Sequence, residues 1–229
     1  MHSQEAESRV LANLWGVGRP VTRGPRPRLT LEEVADAGIA VADDVGLDQL
    51  LLGTVSSRLG VATTALYRYV ASKDELIELV IDRAVGPAVD LTDVDWRLQV
   101  GRWSRALLDR YRQHPWLAGV QPAGEPRFPN AIGWIEVLLV ALRDAPVAEP
   151  MQVALLLDSL ARTFARLPGA SVDTAGPAWL YEAIADRYPL FAREAQRDWS
   201  DVDEEFDRAI ETVVRGATRP GSGSRSSQQ

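Results

Sequence analysis

Apolar residues recur at spacings of three and four along most of this chain, and no segment of convincing length alternates between apolar and polar positions. This period is that of an α-helix with one side in a core, whereas a half-buried strand alternates at every second residue. The sequence contains no internal repeat. It therefore predicts an all-α fold.

Four helices are predicted in the first part of the chain. Two of them begin with a Ser or Thr that is followed three residues later by Glu, which is the spacing of a capping box, and each ends at a glycine. Between them lie two short helical segments that Gly60 separates by a tight turn. The predicted helices are 31–45, 53–59, 62–70 and 73–85, with the capping pairs Thr30/Glu33 and Ser72/Glu75.

The helices predicted further along are longer. Those at 130–144 and 151–167 are apolar on nearly every side, which places them inside a domain or at an interface. Pro177 suits the first turn of a helix that runs to about Phe191. The remaining predicted helices are 95–114 and a last one that Ser200 caps.

Composition divides the chain into four parts. Residues 1–28 are rich in Arg, Pro and Gly, and residues 217–229 are rich in Ser and Gly, so neither can support a packed core. We expect a flexible arginine-rich arm over 1–28 and a disordered tail over 217–229. The periodic segments between them form a small helical domain, 29–86, and a larger helical domain, 87–216.

The chain has no cysteine and only two histidines, His2 and His114. This excludes disulfides and thiolate metal ligands, and leaves little from which a metal site or a Ser-His-Asp triad could be built. We therefore predict no metal and no cofactor. No apolar run reaches the roughly 18 residues needed to cross a bilayer, and the first residues lack a secretory signal, so we expect a cytoplasmic protein without membrane contact.

The segment 54–73, TVSSRLGVATTALYRYVASK, has the pattern of a helix-turn-helix. Its apolar residues would pack two short helices against the first helix, and Gly60 permits the turn. The other side then exposes small residues, hydroxyls and one aromatic ring, which can enter a DNA major groove. The net charge of −7 argues weakly against indiscriminate binding of nucleic acid, but a local surface can still bind phosphate.

Here the sequence resembles the TetR family of bacterial regulators. The run LGVATTALYRYVASKDEL matches the signature of that family nearly position by position, and the preceding LWGVGRPVTRGPRPRLTLEEV is similar to a subgroup with an arginine-rich arm. The resemblance implies that Lys73 lies beside the phosphate backbone and that Tyr69 lies on the recognition helix. Core packing is the alternative role for Tyr69, and a solvated charge is the alternative for Lys73. The other recognition-helix residues that the resemblance implies are Thr63, Thr64, Ala65, Tyr67 and Arg68.

One stretch departs from the family pattern. The residues 51–54, LLGT, stand where the family usually has a Ser or Thr cap followed by one or two cations. Two donors to DNA are therefore missing from the helix predicted at 53–59. Thr54 is the candidate for one phosphate hydrogen bond there.

Cations upstream could compensate for that loss. Four arginines lie between residues 19 and 28 among Pro and Gly, with no acidic residue between them. Such an arm can enter a minor groove next to the recognition helix. A solvated tail without a DNA role is the alternative. Arg23 and Arg26 are the candidate contacts of this arm.

The resemblance also implies a homodimer that is built on a four-helix bundle, with two helices from each subunit. We assign these helices to 152–166 and 204–215. Helix faces are not resolved by the sequence, so each candidate contact could instead lie in the core of its own domain. The candidate dimer contacts are Leu156, Leu160, Phe206, Ile210 and Val213.

The larger domain of the family normally holds an effector pocket. A pocket lined by aromatic rings with few polar groups selects flat or hydrophobic small molecules. The alternative is that these rings fill the core. Asp158 could orient a ligand, although pairing with Arg162 one turn later is the stronger interpretation. The candidate lining residues are Trp103, Tyr111, Trp116, Phe128, Trp134, Asp158 and Phe164.

Together these features predict a transcriptional regulator that binds double-stranded operator DNA. We expect a repressor that a small hydrophobic or aromatic ligand releases, through contact of the fourth helix, near residues 76–83, with the helix starting at Trp96. No nucleophile motif, phosphate loop or metal spacing supports an enzyme. One alternative is an all-α hydrolase or isomerase that uses Asp158. Another is a helical interaction module whose DNA binding is weakened or lost.

Overall fold

The computed structural model describes residues 10–17, 29–92, 95–120, 127–167, 176–196 and 201–218. This part of the chain is helical and contains no strand, which confirms the predicted all-α class. A short helical stretch at residues 10–14 precedes ten α-helices. These are α1 (Leu31–Val45), α2 (Leu52–Leu59), α3 (Thr63–Leu66), α4 (Lys73–Val85), α5 (Trp96–Gln113), α6 (Pro129–Leu142), α7 (Pro150–Ala165), α8 (Ala178–Arg187), α9 (Pro189–Ala195) and α10 (Val202–Ala217).

The start of α1 is fixed by the predicted capping box. The Glu33 N–H donates to Thr30 Oγ1 at 3.1 Å, and the Thr30 N–H donates to Glu33 Oε2 at 2.7 Å. The start of α4 has only half of this arrangement. Ser72 Oγ accepts the Glu75 N–H, but the Glu75 carboxylate accepts the N–H of Ala71 instead of that of Ser72. Both caps orient their helices within the first domain.

The first core lies between α1, α2, α3 and α4. Helices α1 and α4 approach closely at Gly38, where an added Cβ would lie 2.3 Å from Val80 Cγ2. Gly60 between α2 and α3 has a φ of +66°, which favours glycine and permits the turn. The core members that are fully enclosed include Val34, Leu50, Val55, Leu66, Val70, Leu76 and Val80.

Helix α3 is shorter than predicted. The sequence predicts a helix over 62–70, whereas the α-helix spans only Thr63–Leu66. The following residues form turns in which Tyr69 and Val70 donate backbone N–H groups to the Leu66 carbonyl. The buried Leu66 and Val70 are thus held at the core although the regular helix has ended.

The predicted flexible arm is wrong for residues 10–17. Val10 is 1% exposed and belongs to the first core. Trp15 Nε1 donates to the Arg127 carbonyl at 3.0 Å, which connects this stretch to the segment before α6. Residues 1–9 and 18–28, including Arg23 and Arg26, lie outside the described residues.

The second core is formed by α5, α6, α7 and α10. Trp103 on α5 and Trp134 on α6 meet edge to face at its centre, with ring centroids 5.8 Å apart. Both indole N–H groups are bonded, that of Trp103 to the Trp134 carbonyl and that of Trp134 to the Gly86 carbonyl. The two rings thus pair in a favourable geometry with both of their N–H donors satisfied.

Two helix boundaries in this half differ from the prediction. The helix predicted from Pro177 to about Phe191 is two helices, because Pro189 lacks an N–H and disfavours helical dihedrals at Tyr188. The last helix is capped by Asp201, which accepts the Glu204 N–H at 2.9 Å and follows the predicted cap by one residue. It continues to Ala217, one residue into the predicted tail, and residues 219–229 of that tail lie outside the described residues.

Polar contacts join the two cores. Asn130 on α6 donates from its backbone and side-chain nitrogens to Asp82 on α4, with three contacts of 3.0 Å each. Burial raises the pKa of the Asp82 carboxyl, while the hydrogen bonds from Asn130 oppose that rise. On the other side of the junction, Asp43 of α1 bonds His114 Nδ1 at 2.9 Å and Trp116 Nε1 at 2.7 Å.

The main partner of α4 in the second domain is therefore α6. The sequence predicts that effector release passes through a contact of α4 with the helix that starts at Trp96. This predicted contact has to be replaced by the contact of α4 with α6. Among the described helices, none has the length and apolar character required to cross a membrane.

Candidate functional site

The helix-turn-helix places the predicted recognition residues in two distinct environments. Thr64, Tyr67 and Arg68 are exposed, and Tyr67 is 51% exposed although its ring is large and partly apolar. Ala65 is half-buried between them. These three exposed side chains form the outer surface of α3 and the turn that follows it. A hydroxyl, a phenol and a guanidinium can all donate hydrogen bonds to phosphate or base edges.

Two of the predicted contacts are engaged inside the protein. The Thr63 hydroxyl lies 2.9 Å from the hydroxyl of the buried Ser56, which joins α3 to α2 across the turn. The Tyr69 hydroxyl donates to the Leu29 carbonyl at 2.5 Å. Both residues therefore hold the domain together in the free protein, and for Tyr69 the packing alternative describes its contacts.

Thr54 has a local role that the sequence did not reveal. Its hydroxyl accepts the Leu51 N–H at 3.0 Å and donates to the Leu51 carbonyl at 2.7 Å. Leu51 has no polar side chain to accept the N–H groups at the start of α2, and Thr54 makes the reciprocal half of a capping box by accepting the Leu51 N–H. Gly53 is exposed beside it, and an added Cβ would meet nothing within 4 Å. Thr54 thus fixes the backbone at the start of α2 without taking the place of the missing family cap.

Lys73 lies at the start of α4, half-buried, next to this surface. Its Nζ donates to the Asp48 carbonyl at 3.3 Å, which orients the ammonium without neutralising it. The cation of α2 is committed elsewhere, because Arg58 pairs with Asp44 of α1 at 2.5 Å. Lys73 and Arg68 are therefore the two cations that the helix-turn-helix presents near Tyr67.

The predicted effector residues are mostly part of the second core. Trp103 and Trp134 are buried, and their rings contact each other edge to face in the pair described above. Phe164 packs on Phe206 with ring centroids 5.2 Å apart. Phe128 precedes α6 and is half-buried under the Arg127 guanidinium. For Trp103, Trp134 and Phe164, the core-filling alternative describes the observed contacts.

Tyr111, Asp158 and Arg162 form a network between α5 and α7. The Tyr111 hydroxyl donates to Asp158, whose other oxygen accepts from Arg162 Nε at 2.8 Å. Arg162 also donates to the Leu117 and Val120 carbonyls. Burial, together with the negative Asp158, raises the pKa of the Tyr111 phenol, which therefore stays protonated as a donor. The predicted pairing of Asp158 with Arg162 is confirmed.

A shallow cleft of about 280 Å³ lies between the two domains. It is bordered by α1 and α4 on one side and by the end of α5 on the other. Its lining is mainly polar, so it does not match the hydrophobic effector that the sequence predicts. The lining residues are Asp36, Ile39, Ala40, Asp43, Arg83, Arg110, Gln113 and His114. Trp116, another predicted effector residue, bonds Asp43 at this junction.

The predicted dimer contacts also divide into two groups. Leu156 on α7 is 53% exposed, and Leu160 and Val213 are half-buried. Phe206 is completely buried and Ile210 is 6% exposed, so both belong to the core of their own domain and the prediction of a contact is corrected for them. The reason is that α10 turns its apolar side inward and its charged side to solvent.

Sequence reasoning missed a group of exposed aromatic residues on α8 and α9. Trp179, Tyr188 and Phe191 each have more than 60% of their surface exposed. The available signal was the absence of a single apolar stripe between residues 178 and 195, where large apolar residues fall on several sides of the predicted helix.

No protein-family model matches the chain. It is 33% identical over 220 residues to the HTH-type transcriptional repressor DrrR1 of Streptomyces coeruleorubidus, which covers 93% of this chain and 74% of that protein. It is 26% identical over 202 residues to an HTH-type transcriptional regulator of Saccharopolyspora erythraea, covering 83% and 85%. Among solved structures, the TetR family protein ActR of Streptomyces coelicolor in complex with actinorhodin aligns with a TM-score of 0.64 at 22% identity, over 83% of this chain and 97% of ActR.

An all-helical fold with an amino-terminal helix-turn-helix and a larger helical domain defines a one-component DNA-binding regulator. The similarity to DrrR1 over nearly the whole chain agrees with that class. The chain belongs to the TetR family of helix-turn-helix transcriptional regulators.

Proposed function

We propose that this protein is a homodimeric repressor that binds a near-palindromic operator in the cytoplasm and is released by a small hydrophobic or aromatic effector. The observation that supports this most directly is the exposed surface of Thr64, Tyr67 and Arg68 at the helix-turn-helix. A related protein over most of the chain is a transcriptional repressor. Thr63 and Tyr69 hold α3 and the turn after it to the rest of the domain, and Lys73 adds a phosphate contact at the edge of the surface.

The exposed face of α7 supports the proposed dimer. Every exposed residue of this helix is uncharged, and three of them are large and apolar, whereas the exposed face of α10 is mostly charged. An uncharged apolar surface can pair with its own copy across a two-fold axis without repulsion. A dimer of this kind presents two recognition helices, which must reach major grooves about 34 to 36 Å apart. The exposed α7 residues are Met151, Gln152, Leu155, Leu156, Ser159 and Thr163.

Release by an effector requires a link from the second domain to the recognition helices. The α4–α6 junction at Asp82 and Asn130 supplies one, because any displacement of α6 pulls on α4 through directional hydrogen bonds. ActR, a protein with the same fold, holds actinorhodin. A ligand that prefers the non-binding arrangement by about 1 to 3 kcal/mol would lower operator affinity about 5- to 150-fold.

Fluorescence anisotropy with the DNA upstream of the protein's own gene tests the proposal. We expect tight binding to one near-palindromic fragment, with at least a hundredfold preference over a scrambled duplex of equal length and composition. Equal affinity for both duplexes would contradict a sequence-specific regulator. Effector candidates are then screened by their power to release the bound fragment.

The arginine arm is tested in the same assay by replacing its four arginines, Arg19, Arg23, Arg26 and Arg28, with Gln. Deleting residues 1–28 would be a poor test, because it would also remove the buried Val10 from the first core. Each arginine that neutralises a phosphate contributes about 0.9 to the slope of log K against log salt. A slope that the replacement leaves unchanged would contradict a role of the arm in DNA binding.

A further inference from the structure

The cleft between the two domains is bordered by charged side chains from both of them. Arg83 on α4 and Arg110 near the end of α5 line the same space of about 280 Å³, and α1 adds two carboxylates, Asp36 and Asp43. A concave space with a few convergent polar groups is the usual form of a small-molecule site. The volume lies just below the range of about 300 to 1,000 Å³ that is typical of such sites, so it suits a small ligand.

The carboxylate of Asp36 is already paired within the first domain. Arg83 donates to it from Nε at 2.7 Å and from Nη2 at 3.2 Å. This pair uses two of the three guanidinium nitrogens, and Nη1 has no acceptor among the described residues. Arg83 thus neutralises Asp36 and still has a donor for a second acceptor.

Arg110 is a cation that pairs with no carboxylate in the described part of the chain. Its guanidinium has one acceptor there, Gln113 Oε1, at 3.4 Å. It lies over the end of α4, since a Cβ added at Gly86 would be 3.3 Å from Arg110 Nη2, and Arg83 belongs to the last turn of the same helix. The carboxyl end of a helix carries about half a negative charge, which offsets one guanidinium only in part. This end of the cleft therefore attracts an anion.

The opposite side of the cleft offers an acceptor. Asp43 accepts from His114 Nδ1 at 2.9 Å and from Trp116 Nε1 at 2.7 Å, so two donors already engage its carboxylate. Because an ionised carboxylate only accepts, His114 Nδ1 carries the proton, and Nε2 of the neutral ring is then an acceptor. Nε2 has no partner among the described residues, and His114 is part of the cleft lining.

We propose that this cleft is a ligand site separate from that of the hydrophobic effector, and that it binds a small carboxylate that also carries a hydroxyl group. The ligand carboxylate accepts from Arg83 of one domain and Arg110 of the other. Its hydroxyl donates to His114 Nε2. Its carbon skeleton lies against Ile39 and Ala40, the apolar part of the lining.

Such a ligand would connect two helices that the protein itself joins weakly. The main partner of α4 in the second domain is α6, whereas an anion between Arg83 and Arg110 would link the end of α4 to α5. Helix α4 packs in the same core as the helix-turn-helix, so a ligand that fixes its end couples to operator affinity. This regulatory consequence rests on the proposed function, whereas binding in the cleft does not.

Isothermal titration calorimetry of the whole protein with meta-hydroxybenzoate at pH 8 tests the site. This probe carries a carboxylate and a hydroxyl that are too far apart on the ring to bond each other. We expect a dissociation constant below about 1 mM. Arg110→Gln and Arg83→Gln should each raise that constant about ten- to hundredfold, because each removes a hydrogen bond between charged groups. Circular dichroism verifies that each variant is folded.

The matched control is Arg143→Gln, which removes an exposed cation at the end of α6, outside the cleft lining. It should bind the probe as the wild type does. Two probe analogues serve as controls for the chemistry. Benzoate lacks the hydroxyl and should bind several-fold more weakly, and meta-hydroxybenzamide lacks the negative charge and should show no heat of binding. Equal binding of the acid and the amide would contradict an anion site.

The remaining outcomes also separate this proposal from the proposed function. The absence of any heat with millimolar meta-hydroxybenzoate would contradict the site. Binding that neither Arg83→Gln nor Arg110→Gln weakens would place the probe elsewhere in the chain and would contradict the site as well. In fluorescence anisotropy, saturating probe should change operator affinity at least about fivefold. An unchanged affinity would contradict the bridging of α4 to α5, whereas failure to bind the operator without probe would contradict the proposed function alone.

Discussion

Both domains carry residues of the right chemical type for binding. The two domains differ in which of these side chains they use in internal contacts and which they expose. In the helix-turn-helix domain, the hydroxyls of Thr54, Thr63 and Tyr69 hold the backbone or a neighbouring helix, and Thr64 and Tyr67 remain exposed. In the second domain, the rings of Trp103 and Trp134 fill the core, while exposed rings lie on α8 and α9. In each domain, the residues available to a partner are therefore those whose side chains the fold leaves exposed.

The largest effect is expected at a ring that is buried in the core. Trp134→Ala removes a buried side chain and leaves the Gly86 carbonyl without the 3.1 Å hydrogen bond from Nε1. We expect a loss of about 3 to 5 kcal/mol in the free energy of unfolding, measured by urea denaturation. Leu98→Ala at a site with 62% exposure is the control and should change stability by less than about 0.5 kcal/mol. Similar losses at both positions would contradict the distinction between residues that the core uses and residues that the fold leaves exposed.

The next effect concerns an exposed ring. Tyr67→Ala should weaken binding to the operator about ten- to hundredfold, because a hydrogen bond to a charged phosphate contributes about 1.5 to 3 kcal/mol. The free energy of unfolding should change little, since the ring is half exposed. Fluorescence anisotropy and urea denaturation on the same preparation measure both quantities. Full operator affinity in a folded dimeric variant would show that the recognition surface lies elsewhere.

The Tyr69 hydroxyl on the same turn is bonded inside the protein and provides the matched opposite case. Tyr69→Phe removes only the hydrogen bond to the Leu29 carbonyl, so we expect about 1 kcal/mol less stability. Operator affinity at a temperature where the variant is folded should stay within twofold of the wild type. A tenfold loss of affinity without a change in stability would assign Tyr69 to the DNA surface.

The smallest effect is a gain. Gly53→Arg places a cation on α2 where the family usually has one, at an exposed position with space for a side chain. Affinity for generic duplex DNA should rise a few-fold, and the slope of log K against log salt should steepen by about 0.9. Gly53→Gln is the uncharged control for the gain in helix propensity. An equal gain in both variants would show that the new charge does not reach the phosphates.

The helical elements of this protein were largely predictable because local signals set them. The capping pair of Thr30 and Glu33 and the turn at Gly60 act within a few residues, and both are found where the sequence predicts them. The end of α3 and the break at Tyr188 were missed. The first is decided by packing of Leu66 and Val70 on other helices, and the second by Pro189, which lacks an N–H and disfavours helical dihedrals at Tyr188.

The candidate site was less predictable because hydrogen bonds between residues far apart in the sequence decide which side chains are used inside the protein. The contact of Tyr69 with Leu29 spans forty positions, and that of Tyr111 with Asp158 spans forty-seven. No spacing rule reports such pairs. Amphipathic patterns also do not tell whether an apolar face meets its own domain, as in α10, or solvent, as in α7.

The docking of residues 10–17 changes how the arginines at 19–28 would meet DNA. Val10 is fixed in the first core, and Leu29 is held by the Tyr69 hydroxyl, so the chain enters and leaves the stretch 18–28 from points on one domain. Tethering a binding segment at both ends raises its effective concentration at a neighbouring groove above that of a tail with one free end. Cutting the chain once between residues 18 and 28 would remove no charge, yet it should lower operator affinity by releasing one tether.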